Sequence, residues 1–279
     1  MVINLARQNK RNTARPFAKR SLGQNFLVDQ NIVRKIVESL VPIEESLIIE
    51  IGPGRGALTG ELASRARKFV AIELDTAFAA DLKKRFETHA DVKIIEEDVL
   101  EADFKALAPF ALGTSDTKIV ANLPYNISTA VLERLAGIPL EFSEAVLMFQ
   151  KEVVSRITAR PGDRNRGYTT VITEASFETE LLFDVDPKSF KPVPRVRSAV
   201  VRIRPKDAPE IKNEERFRAV VSGGFRQKRK TILNNLKQVG FVADARELLA
   251  EAGVEPTLRP EVLKLEDWIR LAALTETKS

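Results

Sequence analysis

The chain has 279 residues, enough to bury a full core, with 44% hydrophobic and 30% charged residues and no apolar run long enough to cross a membrane. It contains no cysteine and one histidine, His89, which excludes disulfides, thiol nucleophiles and histidine-rich metal sites and makes a Ser-His-Asp triad improbable. A net charge of +5 favours a polyanionic partner. The lack of cysteine fits a reducing cytoplasm, and the N-terminus has no apolar segment of the signal-peptide kind.

Residues 1–20 carry Arg7, Lys10, Arg11, Arg15, Lys19 and Arg20 with no acidic residue and no periodicity, which reads as a flexible basic arm. Asp29 can then cap a helix whose Ile32, Val33, Ile36, Val37 and Leu40 share one face, ending before Pro42. From Leu47 short apolar runs alternate with helical patterns. Leu47–Ile51, Val70–Ile72, Val92–Ile95, Lys118–Ala121 and Ala145–Phe149 read as strands, with helices at Ala77–Phe86, Ile127–Ala136 and from Lys151. This alternation predicts an α/β fold, a mostly parallel sheet with helices on both faces. Arg160–Gly167 is a loop by composition. Phe177–Val185 and Ser198–Arg204 read as strands paired in hairpin fashion at the sheet edge. A polar stretch over Lys206–Glu215 sets a domain boundary near 207. Helical patterns follow at Glu214–Val221, Lys230–Val239, Ala243–Ala252 and Pro260–Ala273, a small helical domain. The organisation expected is thus a basic arm (1–20), an α/β domain (21–206) and a helical domain (207–279).

The first long strand runs straight into Gly52-Pro-Gly-Arg-Gly56, where glycines permit close backbone approach to a ligand. Three polar residues stand at the ends of successive strands on that same edge, where ligands bind in parallel sheets. Glu73, 21 residues beyond Gly52, can accept from ribose hydroxyls; Asp98 can accept from an adenine amino group; Asn122 opens Asn122-Leu123-Pro124-Tyr125. Bland roles compete: Glu73 and Asp98 as helix caps, Asn122 in an Asx turn, Tyr125 as a half-buried aromatic. The tetrapeptide has its own chemical rationale. Acceptors at the Asn122 side chain and the Leu123 carbonyl can take the two hydrogens of an exocyclic adenine amine, Pro124 can fix the turn, and Tyr125 can stack on the base. Phe225-Arg-Gln-Lys-Arg-Lys230, with Arg226, Lys228 and Arg229 among its cations, reads as a phosphate-binding run at a helix start, with Arg195, Arg197, Arg202 and Arg204 as a second cluster.

In order along the chain, Gln24-Asn-Phe-Leu27, Glu50-Ile-Gly-Pro-Gly-Arg-Gly-Ala-Leu-Thr59, Asn122-Leu-Pro-Tyr-Asn-Ile-Ser-Thr129, Gln150-Lys-Glu-Val153 and Phe190-Lys-Pro-Val-Pro-Arg-Val-Arg-Ser198 resemble the motif series of the ribosomal RNA adenine dimethyltransferases, in their small-subunit branch. The resemblance implies a Rossmann-like class I methyltransferase sheet. It also implies transfer of methyl groups from S-adenosylmethionine to the exocyclic amines of two adjacent adenosines near the 3′ end of small-subunit rRNA, with S-adenosylhomocysteine as product and no metal. By the same resemblance Asn25, Leu27, Gly52, Gly54, Glu73, Asp98 and Asn122 line the cofactor site, Glu97 lies beside the adenine, and Phe190 offers the target base a second aromatic face, although a plain core role for Phe190 stays open. The partner implied is rRNA within an immature small subunit, bound by a cytoplasmic monomer that uses no membrane. Large-subunit rRNA or DNA adenine methylation, or a non-catalytic assembly role on the same fold, are the alternatives.

Overall fold

The computed structural model describes residues 25–123, 127–137, 141–207, 209–240, 242 and 244–275; the basic arm at 1–20, Pro124 and Tyr125 lie outside these. The elements in chain order are β1 (Phe26–Leu27), α1 (Gln30–Glu38), β2 (Leu47–Ile51), α2 (Thr59–Arg65), β3 (Lys68–Glu73), α3 (Thr76–Arg85) and β4 (Val92–Glu96). Then come α4 (Ala108–Ala111), β5 (Thr117–Asn122), α5 (Ser128–Ala136), β6 (Glu144–Gln150), α6 (Lys151–Ile157), α7 (Tyr168–Ser176), β7 (Phe177–Val185), β8 (Phe190–Lys191) and β9 (Ser198–Pro205). The C-terminal part holds α8 (Glu214–Gly224), α9 (Ile232–Leu236), α10 (Ala245–Glu251) and α11 (Leu265–Leu274).

Seven strands form one sheet in the order β4-β3-β2-β5-β6-β9-β7. The first five are parallel, and β9 runs antiparallel to both β6 and β7. The two late strands therefore pair as expected, but β9 slots between β6 and β7 and leaves β7 at the edge. Side chains alternate across the pleat and feed two apolar layers. Ile49, Ile51, Val70, Ile72, Ile119 and Leu147 pack beneath α5 and α6, whereas Ile48, Phe69, Ala71, Val120, Val146 and Met148 pack against α1 and α2. Burial on both faces is why these strands read as continuous apolar runs.

The α1 segment is tied down at both ends. Asp29 caps its N-terminus by accepting from the Asn31 N–H (2.9 Å), and Ser189 Oγ donates to the other Asp29 oxygen (3.1 Å). At its C-terminal end, Lys118 Nζ donates to the Leu40 carbonyl (2.7 Å) and Arg202 Nη2 to the Ser39 carbonyl (2.6 Å). Both cations lean on Glu144, at 3.1 Å and 2.9 Å. Cations here satisfy carbonyls that a helix end leaves open. Arg202 and Arg204, expected on phosphate, are thus committed to ion pairs with Glu144 and Glu180, the latter opposite Arg202 in the strand register.

A separate apolar cluster is built from α8–α11 around the fully buried Trp268, and it also draws Val171, Ile172 and Ala175 from α7. No helix among the described residues is long and apolar enough to cross a membrane. The cationic run falls in an exposed turn between α8 and α9 rather than at a helix start, because Thr231 caps α9 one residue later.

Gly224 closes α8 against the Trp268 ring, and a Cβ there would stand 2.4 Å from Cη2 of a side chain with no exposure. Overpacking of a rigid core costs about 1–3 kcal/mol, while the helix-propensity gain from glycine to alanine is at most about 1 kcal/mol. Gly224→Ala is accordingly expected to lower the melting temperature by several degrees, and Gly60→Ala, exposed with open space around it, to leave it level or raise it. Calorimetry on the two variants checks this; equal stability would show that the Trp268 face has slack.

Candidate active site

The cleft lies at the carboxyl ends of β2, β3 and β5, at the point where strand order reverses between β2 and β5. It opens to solvent, and the space between its walls, open solvent included, is about 740 Å³. Its floor is the turn after β2, where Gly52, Gly54 and Gly56 all have positive φ. Gly54 is doubly constrained: its φ is +55°, and a Cβ would meet the Phe26 ring at 3.2 Å. Phe26 itself is wedged edge-on against Phe78 and lies beneath the Arg55 guanidinium, 4.3 Å from the ring centroid.

Glu73, the last residue of β3, holds this floor in place. Its Oε2 accepts the Gly54 N–H and its Oε1 the Asp75 N–H, both at 2.8 Å. Capping of α3 falls to Asp75 instead, which accepts from the Ala77 N–H (3.0 Å). Burial raises the Glu73 carboxyl's pKa above its ordinary value, opposed by these backbone donors. The second acid is Glu50 in β2, 2% exposed, whose Oε2 accepts from Thr59 Oγ1 at 2.6 Å. Sequence reasoning passed over its side chain; the available signal was a lone carboxylate inside an apolar strand two residues before the glycine turn.

The roof comes from the N-terminal segment. Phe26 and Leu27 pair antiparallel with Lys191 and Phe190, so β1 and β8 form a small ribbon over the glycine turn. Asn25, Leu27, Gly52, Gly54, Glu73, Asn122, Leu123 and Phe190 all line the cleft, together with Phe26, Glu50, Pro53, Arg55, Ala57 and Leu58. Asn122 ends β5 half-buried, beside the glycine turn. Asp98 is not brought into the lining; it stands past β4, its Oδ1 accepting from the Leu100 N–H (3.0 Å) in an Asx turn. Phe190 is 1% exposed and forms wall rather than a free stacking face. Arg226, Lys228 and Arg229 stand on the exposed turn of the helical cluster, outside the cleft, and enter no ion pair among the described residues. Pro124 and Tyr125 fall outside the described residues.

The residues present fit a nucleoside-bearing cofactor. Two buried carboxyl groups face a turn whose backbone can be approached closely, and the Glu73 oxygens, which accept the Gly54 and Asp75 N–H groups, keep lone-pair capacity. Burial, above all, pushes the Glu50 carboxyl up to about 8, helped by the Glu73 charge and opposed by the Thr59 hydrogen bond and Arg85. Between its ordinary value of 4.5 and about 8, the folded chain holds a proton that the unfolded chain has released, so stability falls as pH rises through that window. Glu50→Gln mimics the neutral form and is expected to flatten the slope, its melting temperature gaining on the wild type's between about pH 5 and pH 8 without added ligand. Parallel profiles for the two proteins would show that another group titrates.

The family model described as ribosomal RNA adenine dimethylase matches residues 17–276. The ribosomal RNA small subunit methyltransferase A of Geobacter metallireducens is 40% identical over 260 residues, covering 91% of this chain and 94% of its own length. That of Dechloromonas aromatica is 39% identical over 257 residues, covering 91% and 96%. Among solved structures, a dimethyladenosine transferase from Plasmodium falciparum superposes with a TM-score of 0.74 at 26% identity, over 90% of this chain and 98% of its own. The 23S rRNA methyltransferase ErmE superposes with a TM-score of 0.65 at 28% identity, over 90% and 100%. With a Rossmann-like methyltransferase sheet, a glycine-floored cleft at its switch point and a family match spanning nearly its whole length, the chain belongs to the ribosomal RNA adenine dimethylase family.

Proposed function

We propose that this chain transfers methyl groups from S-adenosylmethionine to the exocyclic amines of two adjacent adenosines near the 3′ end of small-subunit rRNA, acting as a cytoplasmic monomer on an immature small subunit. The observation that carries the reading is the meeting of Glu73, the glycine turn and Asn122 around one cleft. The chain is similar over nine-tenths of its length to proteins named for the small-subunit rRNA, which favours that substrate over the large-subunit rRNA of ErmE, a likeness of fold at lower identity.

In this reading Asn25, Leu27, Gly52, Gly54, Glu73 and Asn122 hold the cofactor, with Glu73 accepting from ribose hydroxyls in the capacity its two backbone donors leave free. Asp98 serves the adenine edge from outside the cleft lining described above. When bound, the cofactor supplies an electrophilic methyl group on a cationic sulfur, and its departure leaves a neutral thioether. The chain's own task is to prepare the nitrogen. An adenine amine is a poor nucleophile because its lone pair is delocalised into the ring. The Asn122 side-chain oxygen and the Leu123 carbonyl accept its two hydrogens, allow the nitrogen to pyramidalise and aim its lone pair. Pro124 is given the role of fixing the turn and Tyr125 that of stacking on the base, with Phe190 as cleft wall behind them. No strong general base is needed: the nitrogen is cationic once methylated, holds its hydrogens weakly and releases a proton to water, which suits a chain whose one histidine, His89, is exposed. Arg226, Lys228 and Arg229 bind rRNA phosphates.

Transfer of labelled methyl groups to undermethylated small subunits, followed by nucleoside analysis, tests the reading. Dimethyladenosine is expected from the wild type, with a loss of roughly 100-fold or more in kcat for Asn122→Ala, the scale on which one preorganised polar contact acts. Wild-type turnover by Asn122→Ala would contradict the role given to that side chain.

A further inference from the structure

Arg166 is a cation only 1% exposed, set in the loop between α6 and α7. Its guanidinium joins three segments at once. Nη1 donates to the Ala159 carbonyl just past α6 (3.4 Å), Nε donates to the Leu263 carbonyl just before α11 (3.2 Å), and Nη2 stands 2.7 Å from Glu174 Oε2 on α7. A second bond follows the same path: the Gly162 N–H donates to the Glu261 carbonyl at 2.8 Å. Thr170 Oγ1 also donates to the Arg156 carbonyl at 2.7 Å, locking the start of α7 to the end of α6.

Each end of this junction leads to a part of the proposed machinery. On one side α6 begins directly at the end of β6, whose Met148 is in register with Asn122. On the other side α11 carries Trp268, and Phe225 packs on that ring at 5.2 Å between centroids. Phe225 opens the turn that presents Arg226, Lys228 and Arg229, and Gly224 behind it has no room even for a methyl group. Close-packed elements pass a displacement on rather than absorb it.

We propose that Arg166 is a positioning residue that holds the cationic turn at a set distance and angle from the cleft, so that rRNA held by the turn delivers its target adenosine to Asn122. The inference rests on reading that turn as the rRNA contact. Its physical basis is that a buried guanidinium cannot leave without stranding two buried carbonyls and one carboxylate, so the junction has one favoured arrangement.

The chain has no cysteine, so Glu87→Cys and Lys237→Cys, both at exposed positions, take two spin labels across the junction in the full-length protein. The wild type is expected to give one narrow distance distribution and Arg166→Met a broadened one. In methyl transfer to undermethylated small subunits, Arg166→Met should raise KM for the subunit roughly 3- to 30-fold while KM for S-adenosylmethionine and kcat at saturating subunit stay within about twofold. Arg166→Lys, which keeps a charge beside Glu174, should recover part of both losses. A purely structural role would lower the melting temperature without dividing the two KM values. A folded Arg166→Met with a narrow distribution and unchanged subunit KM overturns the proposal, and if that variant does not fold, the same two readings on Arg166→Lys decide. A wild type that methylates no rRNA refutes the functional reading instead, and the label distances still decide whether Arg166 fixes the junction.

Discussion

The site depends on one carboxylate with two backbone partners. Glu73 ends β3, yet it fixes the turn that leaves β2, because one of its oxygens takes the Gly54 N–H and the other the Asp75 N–H. Hydrogen bonds to a charged acceptor are among the stronger ones, and here they bind neighbouring strand ends into one surface. The turn therefore cannot drift from the sheet edge, and its backbone stays open toward the cleft. The two bonds that shape the floor also limit how far burial can drive Glu73 toward its neutral form.

Opposite that floor, the N-terminal segment acts as a roof held at points remote from the cleft. The β1–β8 ribbon places Phe26 over Gly54, while the far end of α1 is seated on Lys118 and Arg202 across the sheet. A buried ion network of this sort contributes little net stability over an apolar substitute of equal volume. Its consequence is geometric: the carbonyls of Ser39 and Leu40 have one cation each to meet, so the roof has one seating.

The parallel strands were readable because burial on both faces demands continuous apolar runs, and Asp29 was readable as a cap by residue type and place. The position of β9 was not, since pairing between β6 and β7 depends on partners some fifty residues upstream and about twenty, neither of them encoded by a local turn. For the same reason Arg202 looked free to meet phosphate: its alternation with Val201 and Ile203 is that of an edge strand, but register sets Glu180 opposite it, and Glu144 lies within reach. Glu73, Asn122 and Gly54 meet at one sheet edge as their places at strand ends suggested, and Asn25, placed there only by the family resemblance, lines the same cleft. Asp98 does not join them in the cleft lining because β4 is one strand further out and its side chain closes a local turn. Glu50 escaped notice because a strand residue is read by its neighbours, and only the fold shows that it shares the cleft with Glu73.

The central claim is that the cleft over the glycine turn holds the methyl donor. A crystal structure of the chain with S-adenosylhomocysteine tests it most directly. The account predicts the nucleoside in the cleft with its ribose hydroxyls on Glu73 and the amino acid moiety over Gly52 and Gly54. Ligand bound elsewhere, or bound with Glu73 turned away from the ribose, would contradict it.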